Sequence, residues 1–157
     1  MTLKLNDVMV KDVITVGEKT TVRKAVGLMN KHEIGCLIVV EKGKPAGIVT
    51  ERDMLKRILL EDKDPKKTKV SEIMSKPLVV GKPQMSIEDA VNLMFKRKIK
   101  KLPVADNDHL VGLVTLTDLV RSREIIKALK KLPTKETPKR MKKVVDYFNR
   151  IVSISYE

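Results

Sequence analysis

Two Thr-x-x-Asp steps carry the most specific chemistry in this sequence, Thr50-Glu51-Arg52-Asp53 and Thr115-Leu116-Thr117-Asp118. Each follows a glycine and an apolar run, Gly47-Ile48-Val49 and Gly112-Leu113-Val114, and each leads into a helical apolar pattern. A hydroxyl and a carboxylate three residues apart at such a junction satisfy the free N–H groups of a helix start. Nucleophilic or metal chemistry finds little material here. The chain has one cysteine, Cys36, and two histidines, His32 and His109. It lacks a phosphate-binding Walker loop, a dinucleotide glycine fingerprint, an HExxH step and an evident nucleophile–base pair. No catalytic residue and no metal ligand set is therefore expected.

The recurrence of the step is part of a longer recurrence. At an offset of 65 positions, Val8–Leu55 aligns with residues 73–120 without a gap and with 14 identities over 48 positions. Chance gives roughly three at typical residue frequencies. Met9 falls on Met74, Ala25-Val26 on Ala90-Val91, Leu28-Met29 on Leu93-Met94, and Gly47-x-Val49-Thr50-x-x-Asp53 on Gly112-x-Val114-Thr115-x-x-Asp118. The chain is thus two copies of one unit of about 60 residues and an unrepeated tail. The expected boundaries are residues 1–65, 66–122 and 123–157.

The elements that must position these residues follow from local pattern. Val13-Ile14-Thr15-Val16 is short, apolar and β-branched, and predicts a strand. Thr21 predicts a helix start, followed by Val22, Ala25, Val26 and Met29 at helical spacing. Cys36–Val40 predicts a buried strand, Glu41-Lys42-Gly43-Lys44-Pro45 a turn, and Ala46–Thr50 its hairpin partner. Thr50 or Asp53 then opens a second helix, with Met54, Leu55, Ile58 and Leu59 as its buried stripe. In the second copy the corresponding segments are Leu78-Val79-Val80, a helix from Ser86, and strands Leu102–Ala105 and Leu110–Leu116 turning at Asp106-Asn107-Asp108. Acidic Glu88 and Asp89 favour the helix start at Ser86. The fold class is α+β: a tandem pair of β-α-β-β-α units. One unit buries too little to stand alone. Two units related by a pseudo-twofold axis bury both sheets and leave two equivalent clefts, each built from both copies.

Composition narrows the class further. Of 157 residues, 42% are hydrophobic, enough for a core. The longest near-continuous apolar run, Cys36–Val40, is far short of the about 20 residues of a membrane helix. The amino-terminal residues carry no secretory apolar stretch, and a lone cysteine excludes a disulfide framework. A cytoplasmic location is expected. The net charge of +13 favours anionic partners or simply a lysine-rich solvated surface. Aromatic residues are only 3%, too few for a base-stacking sheet.

The doubled pattern resembles the CBS (cystathionine-β-synthase type) domain pair, a regulatory module. The resemblance rests on Gly47-Ile48-Val49-Thr50-x-x-Asp53, Gly112-Leu113-Val114-Thr115-x-x-Asp118, the Val8-Met9 and Ile73-Met74 steps, and Lys101-Leu102-Pro103-Val104 followed by Asp106. It covers about residues 5–122. It implies binding of adenosine compounds: AMP, ADP, ATP or S-adenosylmethionine, as regulatory ligand rather than catalytic cofactor. A carboxylate at a helix start suits both ribose hydroxyls through charge-assisted hydrogen bonds, and the helix start suits phosphate.

By this resemblance a first cleft takes ribose with Thr50 and Asp53, adenine against Leu78, Val79 and Leu102, and phosphate with Lys100 and Lys101, with Arg52 and Pro103 also counted among the ligand-binding residues. A second takes ribose with Thr115 and Asp118 near Thr117, and adenine near Ile14, Thr15 and Leu37 beside Gly35 and Cys36. The lysine pair of the first cleft faces Gly35-Cys36 in the second, and Arg52 is matched by Thr117. The first cleft is accordingly expected to prefer phosphorylated nucleotides, and the second a neutral or cationic adenosyl compound or none. The competing reading treats the four Thr and Asp residues as helix caps alone, and Cys36 as core.

From Arg121 to Glu157 the chain carries 11 basic and 4 acidic residues. Thr137-Pro138 predicts a helix start, and Met141, Val144, Val145, Phe148, Ile151 and Val152 form one apolar stripe against basic faces. This tail is expected to cover its own pair or a partner copy in a homodimer. A separate protein partner would then receive the signal. The alternative function is a nucleic-acid-binding protein that uses this basic helix, marked by steep salt dependence.

Overall fold

The computed structural model describes residues 3–121; the expected tail helix lies outside the described residues. Leu5–Val8 forms the short helix α1. Strand β1 (Thr15–Gly17), helix α2 (Val22–His32), strands β2 (Cys36–Glu41) and β3 (Lys44–Thr50) and helix α3 (Glu51–Asp53) build the first repeat. The helix α3 widens into a π-helical stretch at Met54–Leu59. Then come α4 (Val70–Ile73), α5 (Ile87–Arg97), β4 (Lys101–Asp106), β5 (His109–Thr115) and α6 (Leu116–Arg121).

The helix starts form where the capping residues stand. Thr21 Oγ1 accepts from the Lys24 N–H at 3.3 Å and Ser86 Oγ from the Asp89 N–H at 3.1 Å. Both long helices end at a left-handed residue, Glu33 (φ 52°) and Lys98 (φ 54°). The first hairpin turns through Lys42 (φ 49°) and Gly43 (φ 77°), and the second through Asn107 (φ 47°) and Asp108 (φ 65°). Two successive positive φ values match the twist of a tight hairpin, and Gly, Asn and Asp tolerate them.

Three sequence expectations require correction. The first strand is Thr15–Gly17 rather than Val13–Val16, although the Ile14 carbonyl still accepts from the Ile38 N–H at 3.4 Å. Leu78-Val79-Val80 is not a strand; a parallel bridge between Gly81 and Val104 stands in its place. The cause is Pro103, which occupies the position of Ile38 and has no N–H to offer. The first sheet is therefore β1-β2-β3 and the second β4-β5 alone. Finally, Leu55 and Leu59 are 57% and 71% exposed, and of the expected stripe only Ile58 is buried. The 55–60 and 58–63 hydrogen bonds span five residues, which widens the turns and carries the stripe off the core face.

The two repeats are held by exchange of their leading segments. Leu5, on α1 ahead of the first repeat, is fully buried in the core of the second with Ala90, Met94, Leu102, Val104 and Val114. Val70 and Ile73, on α4 ahead of the second repeat, are fully buried in the core of the first with Val22, Ala25, Leu37, Val39 and Val49. Each such side chain contributes about 1.5–3 kcal/mol by leaving water. The bridges repeat the exchange in register: Val10 pairs with Leu113 and Ile48 with Ser75, each pair antiparallel and related to the other by the 65-residue offset. Neither repeat has a complete core without the other's leader, which is the pseudo-twofold pairing in physical form.

Candidate functional site

Both Thr-x-x-Asp steps sit where the last strand of a repeat, β3 or β5, turns into a helix. The Thr50 N–H and Oγ1 donate to Asp53 Oδ2 at 2.9 and 3.1 Å, and the Asp53 N–H donates back to Thr50 Oγ1 at 3.3 Å. In the second repeat the Thr115 N–H donates to Asp118 Oδ2 at 3.2 Å and the Asp118 N–H to Thr115 Oγ1 at 3.0 Å. Each box is closed by strand hydrogen bonding, Cys36 opposite Thr50 and Lys101 opposite Thr115. The Glu51 N–H donates to the Gly35 carbonyl at 3.1 Å, and the Leu116 N–H to the Lys100 carbonyl at 3.0 Å. The backbone around the two steps is thus the same.

The caps use one carboxylate oxygen each. Among the described residues Asp53 Oδ1 accepts no hydrogen bond; it faces Arg57 Nε at 3.7 Å. Asp53, Asp118, Thr50 and Thr115 are all half-buried, so their polar atoms stay within reach of a ligand. The cap reading therefore holds, and it leaves acceptor capacity unused.

The side chains around the steps differ between repeats. A Cβ on Gly35 would lie 3.3 Å from Glu51 Oε2 and 3.5 Å from Lys101 Nζ, so Gly35, Glu51 and Lys101 meet at the junction. Burial pushes the Cys36 thiol above its ordinary range; Lys101 opposes this, while Glu51 and Asp118 add to it. Cys36, Gly35, Lys101, Glu51 and Asp118 are thus neighbours. Lys101 reaches the Gly35 side of the junction, and Lys100 is exposed. By position Glu51 corresponds to Leu116, which is buried.

The remaining expected contacts separate into two kinds. Ile14, Leu78 and Val79 are half-buried, and Thr15, Arg52 and Thr117 are exposed. Leu37 and Leu102 are fully buried in the two cores, so their side chains serve packing, and Pro103, next to Leu102 on β4, is buried as well. Sequence reasoning missed Glu51 and Arg57. Arg57 stands four residues after Asp53, a helical acid–base spacing that signals the pair.

Among the described residues no cluster of three or more His, Cys, Asp or Glu is placed to hold a metal ion. No helix among them is long and apolar enough to cross a membrane.

Known proteins give the arrangement its context. The CBS domain model matches residues 5–60 and again 70–129. The chain is 43% identical over 115 residues to the CBS domain-containing protein YhcV of Bacillus subtilis, covering 73% of this chain and 81% of that one. It is 36% identical over 123 residues to an inosine-5'-monophosphate dehydrogenase of Methanocaldococcus jannaschii, spanning 77% of this chain but only 24% of that enzyme. Among solved structures it resembles a hexameric CBS-CP12 protein from bloom-forming cyanobacteria, with a TM-score of 0.76 and 32% identity over 84% of this chain and 78% of that one. CBS domains are regulatory modules that commonly bind adenosine ligands, and proteins made of them are generally regulatory rather than catalytic. The doubled Thr-x-x-Asp boxes, the exchanged leader helices and the paired family matches agree: this chain belongs to the CBS domain family and carries two copies of that domain.

Proposed function

We propose that the chain is a regulatory sensor that binds an adenosine compound, AMP, ADP, ATP or S-adenosylmethionine, at the Thr50–Asp53 and Thr115–Asp118 steps. The observation that carries this reading is the closed cap at Asp53, whose second carboxylate oxygen accepts no hydrogen bond among the described residues, with the same cap repeated in register at Asp118. A carboxylate held by its own backbone is preorganised to accept from two vicinal hydroxyls. Adenine would lie against Ile14, Leu78 and Val79, which keep part of their apolar surface exposed.

Lys100 and Lys101 would serve phosphate; because Lys101 stands beside Gly35, Cys36 and Asp118, its charge would serve the Thr115–Asp118 step, and the preference of either cleft for phosphorylated nucleotides is read from the panel below. The ligand would act by shifting the arrangement of the two repeats, in proportion to its different affinity for each arrangement. The exposed Leu55, Leu59 and Leu60 support association with a second copy into a homodimer. A single cysteine supports a reducing, cytoplasmic setting.

The test is a thermal-shift panel with AMP, ADP, ATP, S-adenosylmethionine and a guanosine control, on the parent and on Asp53→Ala/Asp118→Ala. A ligand at 100 times its Kd adds about 2.7 kcal/mol to stability. A shift with one adenosine compound that the double variant loses supports the reading. An unmoved parent with every compound overturns it and turns attention to polynucleotides and the basic tail.

A further inference from the structure

Asp53 is linked to the other repeat's leader by a single side chain. Arg57 Nη1 donates to the Ile73 carbonyl at 2.5 Å and to the Met74 carbonyl at 3.2 Å, while its Nε faces Asp53 Oδ1 at 3.7 Å. Ile73 and Met74 close α4, whose side chains complete the first core. The next residue, Ser75, exchanges two backbone hydrogen bonds with Ile48 on β3, at 2.9 and 3.2 Å. Three residues further on are Leu78 and Val79.

We propose that Arg57 is a positioning residue that couples the Asp53 carboxylate to residues 73–79, so that occupancy at Asp53 is transmitted to the chain entering the second repeat. This rests on the adenosine-binding reading above. The guanidinium is a fixed fork, and its shape lets one side chain hold two carbonyls and a carboxylate together. A ligand hydroxyl that takes Asp53 Oδ1 competes for the oxygen that Arg57 Nε faces. Any resulting adjustment of the fork is felt at the two carbonyls, because they share its Nη1. At the position of Arg57 the second repeat carries Ser122, which has no charge, so the same spacing is not repeated there. The link described is a feature of the first step.

The experiment uses the full chain and AMP as probe, with amide hydrogen exchange read by mass spectrometry at AMP concentrations that saturate each protein. In the parent, AMP is expected to slow exchange across residues 73–79 by about fivefold or more, within the usual range of coupling between sites. Arg57→Gln is expected to bind AMP, yet at saturation to show no such slowing. Arg57→Lys keeps the charge without the fork, and is expected likewise to lose the protection. A purely structural role would change exchange equally with and without AMP. Equal AMP-dependent protection in Arg57→Gln and parent overturns the inference while leaving the adenosine reading intact. Where AMP does not bind the parent, the adenosine compound that does takes its place, and absence of binding by AMP, ADP, ATP and S-adenosylmethionine alike overturns both.

Discussion

Met74 lays its thioether over the α-carbon of Gly47: a Cβ there would stand 2.5 Å from Met74 Sδ and 3.0 Å from the Ser75 carbonyl oxygen. The mirror contact exists at Gly112, where the same added atom would meet Met9. Each glycine lies on the last strand of one repeat, β3 or β5, and each methionine follows the leader helix that serves that repeat. The glycine of the repeated signature is therefore a packing requirement of the exchange. A methionine tip can move, but the Ser75 carbonyl is fixed by its bond from the Ile48 N–H at 3.2 Å.

Gly47→Ala should therefore destabilise by about 1–3 kcal/mol, the usual cost of inserting volume into a packed site. Chemical denaturation checks this. Gly47→Ala combined with Met74→Ala should lose less than the sum of the two single losses, since the overlap is relieved although a cavity is left. An alanine variant as stable as the parent would show that the leader segment yields freely and that the contact has no energetic weight.

The repeat, the hairpins, the helix starts at Thr21 and Ser86 and the two Thr–Asp steps were legible in the sequence. Each depends on residues within a few positions of one another, or on identities at one fixed offset. What was not legible depends on distant partners. Leu78-Val79-Val80 has the composition of a strand, but a strand needs donors, and the neighbouring chain offers Pro103 where the first repeat offers Ile38. Leu5 and Val70 look like ordinary apolar residues until their destination in the opposite core is known. The stripe from Met54 to Leu59 is helical by spacing, and the wider hydrogen bonding there carries Leu55 and Leu59 outward. At the site, Thr50, Asp53, Thr115 and Asp118 could be named, but Glu51 reaches Gly35 and Lys101 only through the folded junction.

The explanation for the missing strand can be tested by giving the second repeat the residue of the first. In Pro103→Ile the new N–H faces the position where Ile38 finds the Ile14 carbonyl. The amide at 103 should become protected, and exchange at residues 78–80 should slow. Net stability should change by less than about 1 kcal/mol, because one added hydrogen bond is offset by the lost rigidity of proline in the unfolded chain. Unchanged exchange at residues 78–80 would show that something other than the absent donor keeps that segment from pairing.

Cys36 reports on the charges at the junction. Its folded-state thiol titrates above the unfolded one, chiefly because burial disfavours the thiolate. The folded chain thus holds the proton more tightly. This group's contribution is fully present below the unfolded thiol's pKa of about 8.5 and is lost as pH rises through and above it. Alkylation by iodoacetamide should be slow at neutral pH and accelerate at higher pH than in the unfolded chain. Lys101→Ala should move that rise further upward, because it removes the one opposing charge, and Glu51→Gln should move it downward. A rate profile identical in all three proteins would show that neither charge faces the thiol.

Leu55, Leu59 and Leu60, exposed by 57%, 71% and 79%, are the most exposed large aliphatic residues among the described ones, a costly display. They follow directly from the Thr50–Asp53 step, so a second copy resting on them would stand close to the proposed ligand. Substitution at exposed positions has little effect on the fold of one copy, usually within about 0.5 kcal/mol. Leu59→Glu/Leu60→Glu should therefore melt near the parent temperature at high dilution, yet lower the mass seen by light scattering from two copies to one. If the pair of copies forms through this surface, the concentration dependence of the melting temperature should disappear in the double variant, because mass action no longer contributes. A parent that scatters as a single copy at tens of micromolar would remove the homodimer from the proposed function and leave the three leucines for a different partner.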